Sequence, residues 1–479
     1  MSATASGPAA SSSPAAVSGR DTKIGFVPVL AFAVGAMVGG GVFTLSGEAV
    51  NRAGAGALVS YALAGVIMFL SAVAFVAVAA RAKIGDSGYG PVAELLGRPW
   101  RFLVMWGFYL NALLMVAFLA DSFGSYLHAY FLHGLSATAA GIICILALAG
   151  LNLGPAVWVG RAETWVVAVK IGLLFIFIGW GVAAISGSHF KPLAPHGLGA
   201  IISTNALLFT AYTGYNVVTN MAADVRDPSR TVPRAVICAV LISMAVYLLV
   251  VVSMLDSGIT HFGTAGVSEA AGALMGHWGA EMIAFAACLS TLSGANALVL
   301  GGSEIALRLS AQRDIPAFLA KTTRTGFPWA SVGVVGVVAL ALVLFTSINS
   351  VIVLGNIFAL SAMLIVNVAA IVLAHRGFPG TGFRIPGGAT IPIVAGVACL
   401  VQFESYGVLD LLAAAAAMAL GLPLYYLRGR GLLPNASLDA IHEAIYQRET
   451  PLARALLHPF HRHPIRRQRP FAPRIDGSS

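Results

Sequence analysis

The chain is poor in charged residues. Asp, Glu, Lys and Arg make up 10% of its 479 residues, whereas hydrophobic residues make up 58%. A water-soluble protein of this length carries a much larger charged fraction, so the composition excludes that class. Cysteine is also scarce, and because all four cysteines lie inside apolar runs, a disulfide framework is not expected: Cys144, Cys238, Cys288 and Cys399.

Signals of secretion and of enzymatic chemistry are missing as well. Residues 1–20 lack the apolar core of a signal peptide, so we expect residues 1–22 to form a disordered cytoplasmic N-terminus. The sequence has no His/Cys/Asp cluster with metal-ligand spacing, no phosphate-binding loop and no nucleophile–base motif. We therefore expect no enzyme activity, no cofactor and no metal.

Long apolar runs are what the chain has in abundance. A membrane-spanning helix needs about 20 apolar residues to cross about 30 Å of hydrocarbon. Twelve runs approach this length, and they predict an all-α polytopic membrane protein: 24–45, 54–80, 101–130, 136–154, 161–186, 199–222, 233–255, 278–302, 329–346, 350–374, 388–404 and 406–427. We expect one transport domain over 23–427, followed by a basic cytoplasmic tail over 428–479.

Positive charge is distributed unevenly between the segments that connect these runs. If the N-terminus is cytoplasmic, all but three of the 28 Lys and Arg residues fall in cytoplasmic segments, the exceptions being Arg52, Lys191 and the intramembrane Lys170. Positive charge favours the cytoplasmic side, so both termini are expected there, in a plasma (inner) membrane. This asymmetry also explains the net charge of +9, and nucleic-acid binding is not expected.

Two of the runs contain residues that interrupt a helix. The first has four glycines between Gly35 and Gly41, and the sixth contains the segment Phe209–Asn216 with Gly214 in it. An interrupted helix leaves backbone groups unpaired, which is tolerated at membrane depth only where the break lines a cavity inside the protein. Two broken helices in corresponding positions are typical of a transporter's central binding site.

The broken runs are the first and the sixth, so each opens a set of five. This spacing predicts a 5+5 inverted repeat, about 24–186 and 199–374, followed by two extra helices over about 388–427. The half-helix amides at a break attract an anion, and the unwound carbonyls attract a cation. An α-amino acid carries both groups on one carbon, and it therefore fits such a pair of breaks.

Three motifs resemble those of the amino acid–polyamine–organocation (APC) transporters. The segment Gly39–Phe43 (GGGVF) resembles the G-x-G-I/V-F signature of their first helix. The segment Asp224–Ala235 (DVRDPSRTVPRA) resembles the E-x-K/R-N-P-x-R-x-I/V-P-x-A motif after their sixth helix. Gly88–Gly97 is similar to the loop between their second and third helices. The resemblance covers residues 24 to about 427 and implies a LeuT-type fold.

The resemblance also implies where a substrate binds. Its carboxylate would meet the amides of Gly40 and Gly41, and its ammonium would meet the carbonyls of Met37, Thr210 and Thr213. Position 210 is usually an aromatic lid in this family, and here it is a threonine. Two alternatives follow: another aromatic residue supplies the lid, or the pocket is larger. Further candidates around the substrate are Gly39, Phe209, Tyr212, Tyr215 (also a gate), Asn216 and Asn296.

Lys170 lies in the middle of the fifth apolar run. A lysine at the centre of a membrane helix costs about 3 kcal/mol, so it should face the protein interior and a partner. The resemblance is to sodium-independent members, in which this lysine takes the place of Na⁺. It implies contacts with carbonyls near Val34 and Gly35 and with hydroxyls such as Ser290 or Thr291. Proton coupling, static support and a snorkelling lysine are the alternatives.

Other polar residues have simpler explanations beside functional ones. Asp121 is either a gate or proton relay or an interfacial carboxylate, and Asp224 is either an inner gate with nearby arginines or part of a turn. Glu304 and Arg308 are spaced to pair on one helix. Asparagines in apolar runs are typical of hydrogen bonds between helices: Asn111, Asn152, Asn205, Asn296, Asn356 and Asn367.

The sequence thus predicts a secondary transporter that carries amino acids across the plasma membrane by alternating access. Sodium independence is expected, with H⁺ as the candidate coupling ion. The alternatives are a carrier of polyamines or other small amines, an amino acid exchanger, and a substrate sensor that does not transport. We expect no disulfide-linked heavy chain, because residues 131–136 between the third and fourth runs contain no cysteine.

Overall fold

The computed structural model describes residues 24–82, 88–153, 156–184, 192–220, 225–322, 328–376 and 383–429. Within these ranges the chain forms helices and no strand. They are α1 (Phe26–Met37), α2 (Gly40–Ala53), α3 (Ala57–Ala79), α4 (Gly90–Leu95), α5 (Arg98–Tyr130), α6 (Ala137–Leu153), α7 (Ala156–Ala183), α8 (Gly197–Leu208), α9 (Val217–Asn220), α10 (Pro228–Asp256), α11 (Gly266–Met275), α12 (His277–Ala311), α13 (Trp329–Phe345), α14 (Ile348–Arg376), α15 (Thr390–Gln402) and α16 (Val408–Gly429).

Apolar helices follow the predicted runs closely. Seven helical segments of the described residues are long and apolar enough to cross a membrane, and five more apolar helical segments are shorter. The chain is therefore an all-helical, multi-pass membrane protein. The number of crossings and the inverted repeat stay predictions.

Both predicted interruptions are present in the structure. The first run is divided into α1 and α2 by Val38 and Gly39, and the sixth is divided into α8, a 3₁₀ segment over Phe209–Tyr212, a turn and α9. We call residues 35–41, around the gap between α1 and α2, the first break, and residues 209–216 the second break.

A short helix lies in the connection between the seventh and eighth predicted runs, residues 256–277. No helix is predicted from the sequence in this connection, and the structure places α11 there. α11 has ten residues, too few to span a membrane, and its buried Val267, Ala270 and Ala271 face the protein. The approach to α2 is very close, since a Cβ on Gly266 would lie 2.8 Å from the Cα of Gly47. α11 is therefore a helix that lies against the protein, in contact with both α2 and α12.

Buried asparagines connect helices, as predicted for all of the named asparagines except Asn205, whose Oδ1 has no hydrogen-bond partner among the described residues. Asn111 of α5 donates to Gly355 O of α14 (2.9 Å), and Asn356 of α14 donates to Leu207 O of α8 (3.1 Å). Asn367 of α14 donates to Ser71 Oγ of α3 at 3.3 Å. In apolar surroundings each such bond satisfies a group that water does not reach, so these contacts fix how the helices pack.

Two ion pairs lie towards the C-terminal end of α12. The predicted pair is present, with Arg308 Nη2 2.8 Å from Glu304 Oε1. The other joins the turn after α12 to α5: Arg101 Nη2 is 2.8 Å from Asp314 Oδ2, and both side chains are nearly buried. Burial raises the pKa of Asp314 although Arg101 opposes the shift, so removal from water outweighs the attraction.

Breaking the buried pair should destabilise the protein far more than breaking an exposed one. We expect Asp314→Ala to lower the free energy of unfolding by about 3–5 kcal/mol, because it leaves the Arg101 guanidinium without its carboxylate in a buried place. Glu48→Ala removes the exposed partner of Arg52 and should cost less than about 1 kcal/mol. Denaturant titration in detergent micelles measures both values. Equal losses of unfolding free energy in the two variants would mean that the buried pair contributes no more to stability than the exposed pair.

Candidate functional site

The first break exposes the carbonyls at the end of α1, and side chains from three other helices meet them. Lys170 Nζ of α7 is 3.0 Å from Gly35 O. Tyr247 Oη of α10 is 2.6 Å from Met37 O. Ser290 Oγ of α12 is 3.4 Å from Val38 O. A helix end in lipid has no water for its last carbonyls, so these donors replace the missing helical amides.

Lys170 is buried, with 1% of its surface exposed. Its ammonium contacts the Gly35 carbonyl predicted from the sequence, and also Ser293 Oγ at 3.3 Å. Ser293 was not predicted. The two predicted hydroxyls do other things. Ser290 donates to Val38 O of the first break, and Thr291 donates to Ala287 O of its own helix at 2.8 Å. The coupling roles of all these residues stay predictions.

The second break is held together largely by its own polar groups. Thr210 O accepts hydrogen bonds from Thr213 N (3.1 Å) and Thr213 Oγ1 (2.7 Å). The Thr210 hydroxyl donates to Met115 Sδ of α5 at 3.2 Å. A carbonyl has two lone pairs, so the Thr210 carbonyl is already satisfied in this conformation.

The two breaks pack directly against each other. A Cβ on Gly41 would lie 3.1 Å from Ala211 Cα, and a Cβ on Gly214 would lie 2.9 Å from Ala36 O. Gly214 also has a φ of +113°, which an L side chain rarely adopts. Glycine is therefore required at the contact, and the backbones leave no space there for a side chain.

The N-terminus of α2 has equally little space. A Cβ on Gly40 would lie 2.8 Å from Thr291 Cγ2 and would also collide with Leu119 Cδ2. Gly39 donates its amide to Met37 O at 2.7 Å and precedes α2. Gly40 and Gly41 are the first residues of α2, where amides have no partner within the helix.

Aromatic rings surround the breaks. Tyr61 of α3, Tyr212 of the second break and Tyr247 of α10 form a cluster with centroid distances of 4.9–6.4 Å. The Tyr212 hydroxyl donates to Tyr61 O at 2.8 Å. Phe209, three residues before Tyr212, is also fully buried. Phe209 and Tyr212 both belong to the second break, and together with Tyr215 they are the candidates for the predicted lid.

The remaining candidates lie in different surroundings. Tyr215 donates to Met363 Sδ at 3.4 Å, and Asn216 Nδ2 donates to Tyr89 Oη at 2.9 Å. Asn296 accepts from Asn152 Nδ2 of α6 at 2.7 Å, so this pair joins two helices. Asp121 is partly exposed on α5. Asp224 lies outside the described residues.

Sequence reasoning missed Tyr247, Ser293 and Met115, which contact the breaks or Lys170. For Tyr247 a signal existed: a phenol in the middle of an apolar run needs a hydrogen-bond partner. For Ser293 and Met115 there was none, because small hydroxyls and methionines are common in any membrane helix.

The close contact at Gly214 predicts an unusually costly substitution. Gly214→Ala should lower the free energy of unfolding through both backbone strain and the collision with Ala36 O. Gly197→Ala is the matched control, because Gly197 also has positive φ (+82°) but no atom within 4 Å of the new Cβ. We expect about 1–2 kcal/mol for Gly197→Ala and about 1–3 kcal/mol more for Gly214→Ala. Indistinguishable values in denaturant titrations would mean that the breaks do not touch there.

Comparisons with known proteins identify the family of the chain. The inner membrane transport protein YbaT of Escherichia coli is 30% identical over 66% of this chain and 76% of its own length. The branched-chain amino acid permease BcaP of Bacillus subtilis is 25% identical over 87% of this chain and 95% of its own. A methylthioribose transporter of the same organism is 24% identical over 83% and 91%. Residues 24–409 match the amino acid permease family model, and the chain therefore belongs to that family, within the APC superfamily.

Proposed function

We propose that the protein is a secondary transporter that carries amino acids across the plasma membrane by alternating access. The observation that carries this proposal is the pair of facing breaks, whose backbone groups are held by side chains of other helices. Similarity to a branched-chain amino acid permease supports an amino acid as substrate. On this proposal twelve helices span the membrane as a 5+5 inverted repeat plus two, with both termini cytoplasmic.

The substrate would bind where the breaks face each other after they separate. The first amides of α2, at Gly40 and Gly41, suit a carboxylate because a helix N-terminus carries partial positive charge. Backbone carbonyls of the two breaks suit an ammonium group. Both groups of an α-amino acid would thus be recognised by backbone, and the nearby side chains would select among substrates.

The transport test is uptake of labelled L-amino acids by proteoliposomes. Each amino acid is tested with an inward H⁺ gradient, with an inward Na⁺ gradient, and with neither. We expect accumulation that follows the H⁺ gradient and ignores Na⁺. Accumulation driven by Na⁺ would contradict the proposed role of Lys170. Uptake that requires unlabelled substrate inside the liposomes would identify an exchanger. Binding without any flux would identify a sensor. A panel of polyamines, tested in parallel, examines the alternative that the substrate is an amine.

Lys170 is proposed to couple transport to H⁺. Protonated, its ammonium holds Gly35 O of the first break against Ser293 of α12; neutral, it loses the charge-assisted part of both bonds. Release of the proton would therefore loosen the end of α1, which is one wall of the proposed site.

Arginine at this position would keep the charge but would not release a proton. If one proton accompanies each substrate, a pH gradient of one unit drives about tenfold accumulation by the wild type. We expect Lys170→Arg to retain exchange of labelled substrate but to show no accumulation driven by the pH gradient. Lys321→Arg, at an exposed lysine, is the control and should accumulate as the wild type does. Full accumulation by Lys170→Arg would mean that the lysine is a static support.

A further inference from the structure

The end of α8, directly before the second break, is held by two side chains from the C-terminal part of the chain. Ala206 O accepts a hydrogen bond from Tyr406 Oη at 2.9 Å. Asn356 Nδ2 donates to Leu207 O at 3.1 Å and lies 3.3 Å from Ala206 O. Because α8 ends at Leu208, the carbonyls of its last turn lack the amides of a following turn, and these two side chains supply donors in their place.

Tyr406 belongs to the connection between α15 and α16, in the part of the chain predicted to follow the inverted repeat. The 3₁₀ turn Phe403–Ser405 precedes it and contacts α8, and Tyr406 N donates to Phe403 O at 3.2 Å. Asn356 lies on α14 and is fully buried. The last two helices are therefore not a passive addition to the bundle, because their connection reaches the helix that leads into the second break.

The donors at the end of α8 are neutral, whereas the end of α1 is held in part by a charge. Lys170 donates an ammonium hydrogen bond to Gly35 O, and such charge-assisted bonds are roughly twice as strong as neutral ones. A phenol and a carboxamide make the contacts at Ala206 and Leu207. Releasing the end of α8 from its donors therefore costs less than releasing the end of α1.

Room for a substrate requires one side of the contact between the breaks to move. On the proposed function a substrate enters there, yet a Cβ on Gly214 would lie 2.9 Å from Ala36 O. The second break continues directly from α8, so withdrawal of the end of α8 opens this contact. Because this end has the weaker hold, it is the side that moves.

We infer that Tyr406 and Asn356 form a latch that holds the end of α8 in the closed arrangement and releases it when a substrate enters. Both are then positioning residues for the substrate site, and this inference rests on the proposed function. A bond made only in the closed arrangement adds to the free energy of opening, so it lowers the apparent affinity for substrate. Removal of the bond should tighten substrate binding and destabilise the substrate-free protein, a combination that a purely structural bond does not produce.

The test compares Tyr406→Phe with Tyr126→Phe in the purified full-length protein. Each change removes one phenol hydroxyl that donates to a backbone carbonyl, and the Tyr126 hydroxyl, 2.6 Å from Phe43 O, joins α5 to α2 outside the latch. The probe is the L-amino acid that the wild type takes up fastest in the uptake panel. Isothermal titration calorimetry measures its dissociation constant, and differential scanning fluorimetry measures the melting temperature without substrate.

We expect Tyr406→Phe to lower both the melting temperature and the dissociation constant, the latter about fivefold for the loss of one neutral hydrogen bond from the closed state. Tyr126→Phe should lower the melting temperature and change the dissociation constant less than about twofold. An unchanged or raised dissociation constant in Tyr406→Phe would overturn the inference, and so would equal tightening by Tyr126→Phe. In these cases binding by the wild type still upholds the proposed function. If the wild type binds no amino acid, the proposed function fails and the inference with it.

Discussion

A backbone carbonyl inside a membrane protein needs a donor, and most of the site follows from this requirement. By ending α1 at Met37 and restarting at Gly40, the chain frees carbonyls at a depth where water is excluded. Lys170, Tyr247 and Ser290 reach them from three separate helices. The break is therefore a junction at which α7, α10 and α12 are all fastened to α1.

Close packing is the second consequence of the breaks. Their backbones touch at Gly41 and Ala211 and again at Gly214 and Ala36, with no space for a side chain. Interiors packed this tightly shift between discrete arrangements and do not deform continuously. Any substrate admitted here must therefore move whole helical segments, which is the behaviour expected of an alternating-access protein.

Hydropathy and glycine content predicted the helical runs and both breaks, because lipid demands long apolar helices and a break needs residues with little helix preference. The cost of a buried charge likewise predicted that Lys170 faces the protein interior and a partner, and the family resemblance implied carbonyls near Val34 and Gly35 as that partner. Which carbonyls remain available could not be predicted. That depends on the turn at Thr213 and on Tyr247, a residue from a helix far along the chain. α11 lies outside the predicted runs because its ten residues are too few to span a membrane, so a search for spanning runs does not find it.

Lys170 and Tyr247 contact the end of α1 in different ways and at different carbonyls. Gly35 and Met37 are two residues apart, which is about 200° around a helix, so α7 and α10 hold the end of α1 from roughly opposite sides. The lysine contact is charge-assisted, and the tyrosine contact is neutral. A change in the charge of Lys170 weakens the contact with α7 and leaves the tyrosine contact with α10 unaltered. On the proposed function, a proton on Lys170 and a substrate between the breaks act on the same short helix end, and two ligands that bias one element are thereby coupled.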